Sequence, residues 1–250
     1  MATSLTFLDQ PLHLLDKQEV DTEIANATKE NQFQLATVNP EFLLEAKHNA
    51  GFRKSLSTFS CCIDGFGLYS LLGFHNLTHH KSWHLEMYPG ATLVENLFST
   101  YSQGQKSFYL LGGSEAMMQS SVKTIQTNYP HLKIVGAESG GKIILDNLKI
   151  DPQLARRIRM ASPDILLVGF GAPKQELWIE QAKELGIPVM IGIGGTLEFY
   201  SNRRRAPGWI QKLHLEWLYR SFSERGHWKR AFRAVFVFTF QALYWSITHS

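Results

Sequence analysis

From residue 34 to residue 196 the chain repeats one rhythm: a short apolar run, a turn often rich in glycine, then an amphipathic stretch. That rhythm limits the fold more than any other feature of the sequence. Residues 34–38, 58–63, 107–111, 132–135, 164–168 and 188–191 read as strands. Helices are expected after Asn39-Pro40-Glu41, where proline suits the first helical turn, and over 91–102, 115–128 and 174–185. Strands alternating with helices predict an α/β fold, a mostly parallel sheet with helices on both faces. Cys61 and Cys62 are adjacent on an expected strand, so they point to opposite faces and do not pair.

The rhythm stops after Arg205-Ala206-Pro207. Residues 209–247 then read as two helices with four of the six tryptophans, Trp209, Trp217, Trp228 and Trp245. Charge divides at the same place. Of the 25 Lys and Arg, nine lie in 203–233, against two of the 22 Asp and Glu, which leaves residues outside that segment with 16 basic and 20 acidic side chains. The net charge of +3 thus hides an acidic body and a basic tail, and the expected partition is a body at 1–202 and a helical appendage at 203–250. Residues 234–250 carry no Asp, Glu, Lys or Arg, but fall short of the roughly 20 apolar residues of a spanning helix. They suit a helix lying on a bilayer or packed on a partner. Met1 to Asp16 does not read as a signal peptide. An anionic membrane surface is the expected partner of the basic tail, and a nucleic acid is disfavoured by the acidic body.

Ligands of parallel α/β sheets bind beyond the carboxyl ends of the strands. Five turns fall there: Thr37-Val38-Asn39, Asp64-Gly65-Phe66-Gly67, Gly112-Gly113-Ser114, Gly171-Ala172-Pro173-Lys174-Gln175-Glu176 and Gly192-Ile193-Gly194-Gly195-Thr196. Glycine lets backbone amides approach a phosphate, and a helix start favours its charge. Gly112, Gly113, Gly171, Lys174, Gly194, Gly195 and Glu198 are the candidate ligand-binding residues. Asp64, directly after an apolar run, suits either a general base or the cap of the next helix, and spacing leaves both open. No second carboxylate stands two residues from it, so no metal is expected there. No Gly-x-Gly-x-x-Gly opens the first helix, which argues against a nicotinamide-dependent dehydrogenase. His75, His79, His80 and His84 read as a polar loop rather than a metal site, and Arg203-Arg204-Arg205 as a solvated turn.

These segments, with Tyr109-Leu110-Leu111-Gly112-Gly113, Gly169-Phe170-Gly171-Ala172-Pro173-Lys174-Gln175-Glu176, Arg205-Ala206-Pro207 and Leu215-Glu216-Trp217-Leu218-Tyr219-Arg220, stand in the order found in one family. From about Thr37 to Arg233 the chain resembles the WecG/TagA/CpsF glycosyltransferases. The resemblance implies a Rossmann-like core and an inverting enzyme without a cofactor. It also implies transfer of N-acetylmannosamine or a related sugar from a UDP-sugar to a polyprenyl-diphosphate-linked sugar, at the cytoplasmic face of the membrane. On it, Asp64 matches the general base, Thr37, Asn39 and Gln175 line the pocket, and Arg220 and Arg230 close over the donor diphosphate. The chain departs from the family where Gly140-Gly141-Lys142 replaces Gly-Tyr-Phe, and where Met87, Gly90 and Thr92 occupy an Arg, Gly, Asp pattern. Glu198 stands for the common Asp after Gly-Gly-Thr, and His227 for an appendage Arg. A relative that binds a nucleotide sugar without transferring it is the alternative reading, and a homo-oligomer stays open.

Overall fold

A computed structural model describes residues 2–145, 148–201 and 236–248. Arg203-Arg204-Arg205, Trp209, Trp217, Arg220, His227, Trp228 and Arg230, and with them most of the expected appendage, lie outside the described residues.

The chain opens with a hairpin that the sequence reading passed over, β1 (Thr3–Phe7) and β2 (Gln10–Leu14), paired antiparallel. Its two-residue turn, Leu8-Asp9, holds both residues at positive φ, 51° and 61°, as tight hairpin turns require. Helix α1 (Lys17–Asn26) follows, begun by a capping box between Asp16 and Glu19. Next come β3 (Phe33–Val38), α2 (Pro40–His48), α3 (Ala50–Thr58), β4 (Ser60–Ile63) and α4 (Phe66–Thr78). Thr58, expected to begin a strand, instead ends α3, whose start Asn49 caps with its side chain. The rest is α5 (Gly90–Thr100), β5 (Ser107–Gly112), α6 (Glu115–Asn128), β6 (Lys133–Glu138), α7 (Pro152–Ala161), β7 (Ile165–Gly169), α8 (Lys174–Ala182), β8 (Val189–Gly192) and α9 (Phe238–Thr248).

The strands form one sheet in the order β1-β2-β4-β3-β8-β7-β5-β6. All neighbours are parallel except the β1–β2 pair. Alternate strand residues feed two cores. Ala36, Val38, Cys61, Ile63, Leu111, Val168 and Met190 join α2, α3, α4, α7, α8 and α9 on one face. Leu35, Cys62, Leu110, Leu167 and Ile191 join α1, α5 and α6 on the other. The two cysteines are free and lie in different cores, as their spacing predicts.

Helix α9 belongs to the first core. Phe238, Ala242 and Ser246, four residues apart, are buried against α4 and α2. Burying a side chain like Phe238 contributes about 2–3 kcal/mol. Trp245 packs edge-on against Phe7 and donates to Asp9 at 3.1 Å. The histidine reading needs correction at His75. It is a buried residue of α4, 3.1 Å from the Ser246 hydroxyl and stacked on His79. Burial, with His79 and Lys81 beside it, lowers its basicity. Among the described residues no three His, Cys, Asp or Glu side chains are grouped to hold a metal.

Candidate active site at the carboxyl edge of the sheet

The five turns follow β3, β4, β5, β7 and β8, which are adjacent parallel strands. At about 4.8 Å per strand they make one edge about 20 Å long. The loop after β5 leads through α6 to β6 on one side, whereas the loop after β7 leads through α8 to β8 on the other. The chain therefore diverges between β5 and β7, the arrangement that opens a ligand crevice.

At one end, the Asp64 N–H donates to Val38 O at 2.8 Å, which holds Asp64 level with the end of β3. The cap position of α4 is Gly65, at φ +109°, with open space where a Cβ would stand. Asp64 is thus not the N-cap of α4, and its half-buried carboxylate belongs to the edge. Beside it, the buried Thr37 hydroxyl donates to Gly192 O at 3.0 Å, tying β3 to β8. Asn39 caps α2, its side-chain oxygen accepting from Glu41 N–H at 2.9 Å.

Gln175 joins the next two turns. It is 1% exposed, and its Oε1 accepts from Gly171 N–H at 3.1 Å and Gly194 N–H at 3.0 Å. Gly171 and Gly194 take φ of +74° and +54° and face open space. Lys174 is half-buried in the first turn of α8, and Glu198 half-buried in a short 3-10 turn, Thr196–Phe199, that Gly195 begins. At the far end Gly112, at φ +139°, lies so close to β7 that a Cβ would come within 2.6 Å of Gly169 O. Gly113 follows at φ +67°, and Ser114 caps α6. Among the described residues the edge offers the carboxylates of Asp64 and Glu198, a row of backbone amides at helix starts, and glycines that leave room for a ligand.

The model of the glycosyl transferase WecG/TagA/CpsF family matches residues 5–250. The chain belongs to this family. It is 29% identical over 216 residues to a protein of Staphylococcus aureus (strain MW2), covering 85% of this chain and 79% of the relative. It is 30% identical over 220 residues to one of Bacillus subtilis (strain 168), covering 86% and 78%. Both relatives are named N-acetylglucosaminyldiphosphoundecaprenol N-acetyl-beta-D-mannosaminyltransferase.

Among the described residues, the positions named above as departures from the family pattern lie on the same edge. Met87 bridges to Ile63, next to Asp64. Gly90 begins α5, and a Cβ there would sit 3.3 Å from the Thr37 methyl and 3.5 Å from the Thr196 hydroxyl. Thr92 is exposed in the first turn of α5. Gly141, after β6, is at φ +76° in open space.

Two carboxylates escaped the sequence reading as functional candidates. Glu138, the last residue of β6, accepts from both Arg157 (2.6 Å to Nη2) and the Tyr109 hydroxyl. Burial alone would raise its pKa; Arg157 and Tyr109 outweigh that and hold it below the ordinary value. Glu176 is 0% exposed, and burial pushes its carboxyl up to about 7, against the Gln175 hydrogen bond, which favours the charged form. Its one sequence signal was an acid directly after Gln175 inside a glycine-led motif.

Proposed function

We propose that the chain is an inverting glycosyltransferase that moves N-acetylmannosamine or a related hexose from a UDP-sugar to a polyprenyl-diphosphate-linked sugar, in cell-surface polysaccharide synthesis. The observation that carries the reading is the placement of Asp64 on one edge with glycine turns that face open space at Gly65, Gly171 and Gly194. The names of the two relatives supply the acceptor class. Asp64 takes the proton of the acceptor hydroxyl as its oxygen attacks the anomeric carbon. The bond to the diphosphate breaks on the opposite side, and the electron pair leaves on UDP. Backbone amides at the starts of α6 and α8, and at Gly195, suit the diphosphate charge. The resemblance adds Arg220 and Arg230 to the same task, a pair of cations where no metal is invoked.

A lipid-linked acceptor is consistent with a reaction at the inner face of the plasma membrane. Two adjacent helices support membrane contact. Neither α4 nor α9 contains Asp, Glu, Lys or Arg. Their outward stripes expose Phe66, Phe74 and Leu77 on α4, and Phe240, Tyr244 and Ile247 on α9. Both helices pack on the same core, so the stripes face one side of the molecule. Among the described residues no helix is long and apolar enough to cross a membrane.

The test is mass spectrometry of products from a panel of UDP-sugars and polyprenyl-diphosphate-linked sugars. One lipid-linked disaccharide with inverted anomeric configuration is expected, and its yield persists in EDTA. Binding of UDP-sugar with no product from any pair favours the non-transferring relative instead, and a strict need for Mg²⁺ or Mn²⁺ overturns the metal-free account of the diphosphate.

A further inference from the structure

The Gln175 amide is committed on both sides: its oxygen accepts from Gly171 and Gly194, and its Nε2 donates to Glu176 Oε1 at 2.7 Å. A side-chain amide can turn over and exchange its oxygen and nitrogen. Turned over, this one would aim its nitrogen at two backbone N–H donors and its oxygen at the Glu176 oxygen. The two N–H donors and the Glu176 acceptor together fix which way the amide points. The surroundings are shaped for this pair. A Cβ on Gly192 would stand 2.7 Å from Gln175 Nε2 and 2.8 Å from Glu176 Oε1, so only glycine leaves β8 room for them. Gly192 O in turn receives the Thr37 hydroxyl. One chain of contacts thus links the ends of β3 and β8 and the turns at Gly171 and Gly194.

Glu176 is expensive to keep. It is 0% exposed, and among the described residues its Oε2 accepts no hydrogen bond. A leucine there would fill the core without that cost. Packing does not account for the carboxyl, whereas an acceptor for Gln175 does.

We propose that Glu176 is a positioning residue: by holding the Gln175 amide in one orientation, it fixes the turns at Gly171 and Gly194, whose N–H groups are anchored on Gln175 and whose open sides line the ligand crevice. It touches no substrate and acts through Gln175. The proposal concerns the site itself, and only its kinetic consequence rests on the donor reading above.

The test compares wild type, Glu176→Gln, which keeps an acceptor oxygen, and Glu176→Leu, which removes it, by amide hydrogen exchange resolved at Gly171 and Gly194. The loss of one buried hydrogen bond corresponds to roughly tenfold faster exchange. Glu176→Leu should show that acceleration at both glycines while a distant core amide such as Leu110 is unchanged, and Glu176→Gln should stay protected. Protection of both glycines in a folded Glu176→Leu protein overturns the proposal. So does loss of protection in Glu176→Gln, which also decides the matter if the leucine variant does not fold. In steady-state kinetics Glu176→Leu should raise the donor KM about tenfold and leave the acceptor KM unchanged. A chain that proves not to use UDP-sugars fails only this second arm, since exchange is read without substrate.

Discussion

The carboxyl edge of the sheet and the outer side of α4 and α9 are opposite kinds of surface. The edge is made of glycines at positive φ, backbone amides and the carboxylates of Asp64 and Glu198, held in register by buried polar contacts at Thr37 and Gln175. The helical side has no Asp, Glu, Lys or Arg in either helix, and leaves Phe240 and Ile247 74% and 78% exposed. On the edge, backbone position decides what can bind, so a single added methyl group is felt. On the helical side only the amount of apolar surface counts, and single changes pass lightly. The two meet at Asp64, two residues before α4 begins, so one docking orientation would bring the edge close to a lipid-linked substrate.

The difference can be broken first at Gly112. Alanine there must adopt φ +139° and push a Cβ into Gly169. Strain and overlap together should cost about 4 kcal/mol of unfolding free energy. Gly141→Ala, at φ +76° in open space, should cost only about 1 kcal/mol. Equal midpoints for the two variants in denaturant would remove the claim that the approach of Gly112 to β7 excludes any side chain.

Glu176 gives the next effect. Its folded carboxyl titrates at about 7, against an ordinary value of 4.5. Between those values the folded protein holds a proton that the unfolded chain releases, so this contribution is fully present below pH 4.5 and is lost as pH rises to about 7. The shift corresponds to about 3 kcal/mol. Cys61, which the Glu176 charge also influences, stays a neutral thiol throughout, pushed up to about 12 mainly by burial. Calorimetry from pH 4 to 8 should show a declining Tm in wild type and a flatter profile in Glu176→Gln. Identical slopes would mean that Glu176 titrates normally.

The helical side gives the smallest effect on folding. Leu77→Ser, Phe240→Ser and Ile247→Ser combined should leave stability within about 1–2 kcal/mol. Partition onto vesicles of anionic lipid should nevertheless fall about tenfold or more, and the lost part should not respond to salt, because it is apolar. Unchanged partition would assign membrane contact to the basic residues of 203–233 alone.

The edge was legible because glycines after apolar runs, and an aspartate at one such run, are local signals. The strand order that sets those turns side by side is not local, yet the alternation of strand and helix sufficed to place them on one edge. The β1–β2 hairpin was missed because its turn carries Leu8, where positive φ favours Asn or Gly. Helix α4 was missed because apolar residues line both its buried and its exposed sides, which erases the helical period. The role of Glu176 was illegible for another reason: burial, the Gln175 partner and the Gly192 gap are all tertiary. The appendage arginines Arg220 and Arg230 rest on the family resemblance.

The most direct test is Asp64→Asn, measured for both turnover and UDP affinity. The substitution keeps the size of the side chain and removes the base. Turnover should fall by about 10²–10⁴-fold, while the UDP dissociation constant stays within about threefold, since on the proposed reading the glycine turns and not Asp64 hold the donor. Near wild-type turnover in Asp64→Asn would contradict the assignment of Asp64 as the base, and with it the account of this edge as the reaction centre.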